Sequence, residues 1–355
     1  MSGSIRNDRR NFLKITSAVG VSGALGGLVE NASAQQKTIV FNDSGGASAK
    51  AADVAFGIPL QAETGNKLLV TAPAEVAKLQ AMVLAKNVEW DVAELVSQEH
   101  QLAIRRNLLQ PLDKSVVNTS NLTPDAFDEY SVAFAFYSTA MFYNKAKIAE
   151  AKRPKNWRDF WDVTSFPGRR ALRNHPVDNL EFALLADGVP PDKLYPLDLD
   201  RAFKSLNKIK PNVAVWWKDG AQPAQLLQDG EVDFTSGWHG RFFALANQGE
   251  KRLGVEWTQA MLKRSWVGVP VGAKNPKEAM KLVAIMIDPK NSAKYAEGIA
   301  YICGDPRALQ YVPENVRDWV VTVPERKSKM VIANEEWWLD NLETAQRRWN
   351  EWIAT

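Results

Sequence analysis

Cysteine is nearly missing from this sequence of 355 residues. Cys303 stands alone, so no disulfide can form within the chain and no paired-cysteine metal framework exists. Histidine is almost as scarce: His100, His175 and His239 leave little for a transition-metal site. No segment approaches the roughly 20 uninterrupted apolar residues of a membrane-spanning helix. The formal charge of +3 falls to about +1 once residues 1–34 are set aside, which gives no reason to expect nucleic acid as a partner. G-x-S-x-G, H-E-x-x-H and the glycine-lysine phosphate loop are absent, so no motif suggests a reaction, a cofactor or a metal.

One apparent exception is misleading. Asp43-Ser44-Gly45-Gly46 repeats the D-S-G-G that surrounds a chymotrypsin-like serine. That chemistry needs its histidine and aspartate upstream on an all-β framework, whereas every histidine here lies downstream.

What is present is material for a large core: 45% apolar residues, 24% charged and 13 tryptophans. The tryptophans imply large aromatic surfaces, in cores or in a ligand cleft. The opening NDRRNFLK, the apolar run ITSAVGVSGALGGLV and the ending ENASA form the three parts of an export signal, with cleavage expected after Ala34. Arg9-Arg10 followed by Asn11, Phe12, Leu13 and Lys14 resembles the twin-arginine motif, whose translocase moves folded proteins. A soluble periplasmic body is the expectation.

Short β-branched runs alternate with helical segments along that body. KTIVF (37–41), KLLVTA (67–72) and WDVAEL (90–95) predict strands, separated by a helix that stops near Thr64-Gly65 and another over 74–86. GRRALRN (168–174), VAVWW (213–217) and VDFTSGW (232–238) predict three more, with helices over 200–209 and 241–248. The alternation predicts an α/β body of two blocks with largely parallel sheets. Trp338, Leu342, Ala345, Trp349 and Trp352 share one face of a C-terminal helix over 334–352.

Several landmarks in order resemble the extracellular solute-binding proteins of ABC importers, in the branch that includes the spermidine and putrescine binders. They are Glu63-Thr64-Gly65, Tyr143-Asn144, Trp157 to Trp161 followed by Phe166-Pro167-Gly168-Arg169, Gly230-Glu231-Val232 before Trp238, and Ala273-Lys274-Asn275 before a helix from Lys277. The resemblance spans about residues 37 to 325. It implies a two-lobed α/β periplasmic binding protein of type II, each lobe a mostly parallel sheet flanked by helices, closing on a solute by a hinge. By that analogy lobe 1 is 37–138 plus 264–308 and lobe 2 is 143–260 plus 312–355. The partners implied are a small-molecule solute and a membrane permease, with the receptor a monomer.

Polyamine binders hold ammonium groups with carboxylates and stack methylenes on aromatic rings. Here the position after the first strand holds Asp43, Ser44, Gly45 and Gly46; the tryptophan of the family pattern is Trp238, with Arg241 three residues on; and the acid pair opening lobe 2 falls on His175 and Asp178. The tryptophan-x-aspartate before Val269-Pro270 falls on Lys263, Arg264 and Ser265, next to Trp266, and the late aromatic is Tyr301. Ser97 and Gln98 lie beyond the third strand, and Ser138 and Thr139 beside the hinge. One or two acids against three cations predict an anionic or zwitterionic solute. A glycine turn presenting N–H groups at a helix start adds to that expectation, with Ser44 as a possible N-cap. The alternatives are a polyamine receptor and, in another class, a periplasmic enzyme on the same scaffold. A ferric-ion binder is disfavoured because no Tyr-Tyr pair occurs.

Overall fold

A computed structural model describes residues 36–355; the expected export signal, residues 1–34, lies outside the described residues. Nine strands form one mixed sheet: β1 (Thr38–Asn42), β2 (Lys67–Thr71), β3 (Val92–Val96), β4 (Ser131–Asn144), β5 (Arg170–Arg173), β6 (Val213–Trp217), β7 (Phe234–Trp238), β8 (Leu253–Gly268) and β9 (Val331–Ile332). Their order is β2-β1-β3-β8-β4-β7-β5-β6, with β9 paired to β8.

Two strands are much longer than the rest, and they make the molecule bilobal. β4 and β8 pair antiparallel along their length, so β1, β2 and β3 extend one end of that ladder and β7, β5 and β6 the other. β1 to β3 are mutually parallel, as are β5 to β7, the pattern of alternating strands and helices. The ladder is irregular between Thr139 and Met141, where β8 carries extra residues 257–260 and Gln259 has φ 62.

Separate cores fill the two halves. Ile39, Phe41, Phe56, Phe134 and Tyr295 anchor the first; Trp157, Phe160, Phe182, Trp338 and Trp349 anchor the second, beside a third cluster around Phe142, Trp217 and Phe242. The boundary falls between Tyr137 and Ala140 in β4 and between Met261 and Leu262 in β8. A third passage lies between Val321, in the first core, and Val331, in the second. Val312, Val316 and Val320 pack in the first core, although 312–355 was expected in lobe 2.

Local chemistry places the elements that reach the cleft. After β1 the chain turns through Gly45 (φ 82) and Gly46 (φ 63), a conformation that favours glycine, and enters a helical stretch from Ala47 to Thr64 that Gly65 (φ 72) ends. The helix Pro176–Ala186 begins irregularly: Val177 is extended and Asp178 has φ 75, which turns the Asp178 carboxylate toward β8. The C-terminal helix Glu335–Ala354 is capped by Asn334, whose side chain accepts from the Trp337 N–H at 2.9 Å.

Candidate functional site

The lobe 1 wall is built on buried carboxylates. Asp43 is fully buried; its oxygens accept from the Gly45 N–H (2.6 Å) and the Ser48 hydroxyl (2.7 Å). Glu94, near the end of β3, accepts from the Ser44 N–H (2.5 Å), the Ser44 hydroxyl (2.8 Å) and the Ser265 hydroxyl. Burial, reinforced by the nearby Glu94 charge, pushes Asp43 up to about 7, and burial raises Glu94 too. The glycine turn is therefore no free anion cradle, since the N–H groups of Ser44 and Gly45 already serve carboxylates of the chain. Nor does Ser44 cap the helix: the N-cap is Gly46, and the hydroxyl goes to Glu94.

A third acid, Glu99, follows β3 in the helix Ser97–Arg105. Its Oε2 is buried and has no hydrogen-bond partner among the described residues. Burial, then the Glu94 charge, raises it to about 7.

Cations face these acids. Arg241, in the helix His239–Asn247, lies over the turn: a Cβ on Gly46 would stand 3.3 Å from its Nη1. That Nη1 is shielded from solvent and unpartnered among the described residues, as is the Trp238 Nε1. Ser44, Gly45, Gly46, Trp238 and Arg241 line a cavity of about 310 Å³, together with Gly220 and Gln225. Arg173, ending β5, spreads over the rings of Trp238 (5.1 Å) and Trp217 (6.0 Å), and its side chain donates no hydrogen bond among the described residues. Burial lowers its pKa, while Asp178, Tyr137 and Glu99 oppose the shift.

Lys263 is committed elsewhere. Its Nζ donates to both Asp178 oxygens at 3.0 and 2.8 Å, and Thr139 donates to the same carboxylate at 2.9 Å. Lys263 lies 5.1 Å above the Tyr137 ring. His175 caps the helix that carries Asp178, and burial, with the Arg173 and Lys263 charges, keeps it far below its usual pKa.

Other expected residues hold the hinge. His239 Nδ1 accepts from the Ser138 N–H (3.1 Å) and its Nε2 meets the Ala300 carbonyl (3.2 Å); burial drives its pKa down to about 4, so it is neutral. Tyr301 packs on His239 (4.9 Å) and Tyr137 (5.5 Å), with the Arg241 charge acting on its hydroxyl. Ser97 clamps Arg264, donating to its carbonyl (2.8 Å) and accepting from its N–H (3.0 Å). The Gln98 side chain makes no hydrogen bond among the described residues, and nothing places it against the cavity.

Trp266 is not brought to this cluster. Side chains alternate along a strand, so Lys263 and Ser265 face the cleft while Arg264 and Trp266 face the other way. Trp266 stacks on His100 at 3.9 Å and Arg264 binds Glu335. Arg264, counted from the sequence among the pocket cations, therefore leaves it. The acid of the family pattern is missing at Ser265, and Glu94 on the neighbouring β3 places a carboxylate against the Ser265 hydroxyl. Glu94, Glu99 and Arg173 were overlooked, although each sits near or just past the carboxyl end of a parallel strand, where ligands of such sheets gather.

Residues 58–320 match the model of the family described as bacterial extracellular solute-binding protein. The chain belongs to that family. It is 33% identical over 330 residues to the gamma-aminobutyric acid-binding protein of Pseudomonas aeruginosa, covering 91% of this chain and 93% of that one. A solved ABC transporter substrate-binding protein from Bradyrhizobium japonicum is 35% identical and superposes with a TM-score of 0.83 over 90% of this chain and all of that one. The spermidine/putrescine-binding periplasmic protein of Escherichia coli is more distant, 27% identical over 66% of this chain and 68% of its own. This solute-binding protein is the substrate-binding component of an ABC transporter, and its family delivers small molecules to membrane permeases.

Proposed function

We propose that this protein is a periplasmic receptor for a small zwitterionic amino acid of the gamma-aminobutyrate type, which it encloses between its lobes and passes to its permease. One observation carries the reading. Among the described residues, the buried Arg241 Nη1 and the buried Glu99 Oε2 have no internal partner, one a cation site and the other an anion site. A carboxylate on Arg241, with Arg173 beside it, and an ammonium on Glu99 would satisfy both poles. Trp238 and Tyr301 supply apolar surface for the methylenes between. Asp43, Glu94 and Ser44 hold the wall, while Asp178 and Lys263 neutralise each other beneath the site. The relative that binds gamma-aminobutyric acid is nearer in sequence than the polyamine binder, and Arg173 and Arg241 would repel a doubly cationic solute.

The receptor reaches the periplasm by its twin-arginine signal, cut after Ala34, and binds its solute without altering it. A thermal-shift panel of gamma-aminobutyrate, glutamate, succinate, putrescine and spermidine tests the ligand class. A ligand at about 100 times its Kd stabilises by about 2.7 kcal/mol. A large shift with gamma-aminobutyrate and none with putrescine is expected; stabilisation by polyamines alone, or by dicarboxylates alone, overturns the zwitterion. Recovery of a chemically changed ligand after incubation would instead make the protein an enzyme.

A further inference from the structure

The floor of the cleft holds a buried cation that belongs to the chain itself. Lys263 and Ser265 project from β8 on the cleft side, where the Ser265 hydroxyl meets Glu94. The Lys263 side chain is only 2% exposed. Its ammonium donates to both oxygens of Asp178 (3.0 and 2.8 Å) and lies 5.1 Å from the centre of the Tyr137 ring. The Thr139 hydroxyl donates to the same carboxylate at 2.9 Å. A carboxylate beside an aromatic face is the chemistry that recognises a primary alkylammonium.

Fold stability does not account for this arrangement. Burying an ammonium is costly, and two well-packed apolar side chains hold such a position as well as an ion pair does, or better. The backbone adds to the cost, since Asp178 presents its carboxylate from a left-handed conformation (φ 75) that residues other than glycine rarely adopt. The surroundings of the pair are those of the solute site. Tyr137 packs on Tyr301 at 5.5 Å, and Tyr301 lies in the fields of Arg241 and Glu94. Arg173 lies in the fields of Asp178 and Glu99.

We propose that Lys263 is a specificity-determining residue: its own ammonium fills an ammonium subsite made by Asp178, Thr139 and Tyr137, and so denies that subsite to a second cationic group of the solute. The tethered cation suits the cleft to a solute with one ammonium and disfavours a diamine, a step that rests on the zwitterion reading above.

Lys263→Ala removes the equivalent of one n-propylammonium ion, which serves as the probe. In the ligand-free mature protein this ion should raise the Tm of Lys263→Ala by about 2 °C or more over matched sodium chloride and leave the wild type unmoved. The double variant Lys263→Met/Asp178→Asn, similar in shape but uncharged, should not respond. Should Lys263→Ala unfold on its own, the same comparison is read as refolding yield with propylammonium against sodium chloride. Equal responses in all three proteins, or none in Lys263→Ala, overturn the subsite whatever the natural solute is. Calorimetry tests the specificity: the affinity for putrescine relative to gamma-aminobutyrate should rise about 10-fold or more in Lys263→Ala. An unchanged ratio overturns Lys263 as the determinant. Failure of the wild type to bind gamma-aminobutyrate overturns the zwitterion reading instead, and the propylammonium response then decides the subsite alone.

Discussion

Arg241 holds a guanidinium nitrogen that is shielded from water and unmatched, a condition that costs about 1–3 kcal/mol and that a bound carboxylate would offset. Arg241→Ala should therefore weaken binding by about 100-fold or more in calorimetry without lowering the Tm of the free protein. Glu99 adds a pH dependence with a definite sign. With its pKa raised to about 7, it is largely protonated at pH 5 in the empty protein, and an ammonium ligand favours the ionised form. Binding must then release a proton, and affinity should fall as pH drops from 7 to 5, by up to about tenfold per unit. Calorimetry in buffers of different ionisation enthalpy measures that release; proton uptake instead would favour a purely anionic solute. Glu181 carries the same raised pKa into folding stability. Buried among Tyr195 (2.8 Å), Trp338 (2.6 Å) and the field of Asp178, it titrates near 7, against 4.5 when unfolded. The folded state thus holds this proton to higher pH than the unfolded chain does. Its contribution is complete below about pH 4.5 and is lost as pH rises through 7. Glu181→Gln, fixed in the neutral form, should gain on the wild type across that window by up to about 3 kcal/mol, measured as ΔG of urea unfolding at pH 5 and pH 8.

The C-terminal helix shows how far periodicity can be read at the scale of an element. Its five-residue apolar face is correct to the residue, since Trp338, Ala345 and Trp349 are buried and Leu342 and Trp352 are packed on the lobe 2 core. Trp349→Ala should cost about 3–5 kcal/mol in urea denaturation through the cavity it leaves. Short strands were equally legible, because β-branched runs bounded by turn residues leave few alternatives: β6 coincides with VAVWW and β2 with all but the last residue of its run. The two longest strands were not. All residues of β4 are buried, so SVAFAFYSTAMFYN shows no polar alternation from which to infer a strand or its partner. β8 hides for a related reason: its exposure pattern switches along its length because its two ends serve different lobes. Since β8 determines which side of the sheet Lys263, Arg264, Ser265 and Trp266 occupy, the candidate site inherited that gap. Trp266 was assigned to the cleft and Glu94 was not, a consequence of one unrecognised register.

At the scale of the whole molecule, the lobes are not successive segments of chain. β3 pairs with β8 across more than half of the described residues, and the lobe 1 core is completed by the helices Pro276–Ile287 and Pro289–Ile299. Contacts of such sequence separation close late and slowly, because the loop entropy must be overcome before they form. Neither lobe can complete its sheet until β8 has been synthesised, a constraint that applies equally on either side of the membrane. The translocase for folded proteins is the route proposed from Arg9-Arg10, and it is tested on that pair. Replacing both by lysine preserves charge and alters only what the twin-arginine route distinguishes. The doubly substituted precursor should therefore accumulate inside the cell in a folded, protease-resistant form, while the wild type should appear in the periplasmic fraction with a mass that begins at Gln35. Equal export of both, read by fractionation and intact-mass spectrometry, would assign the signal to the general secretory route.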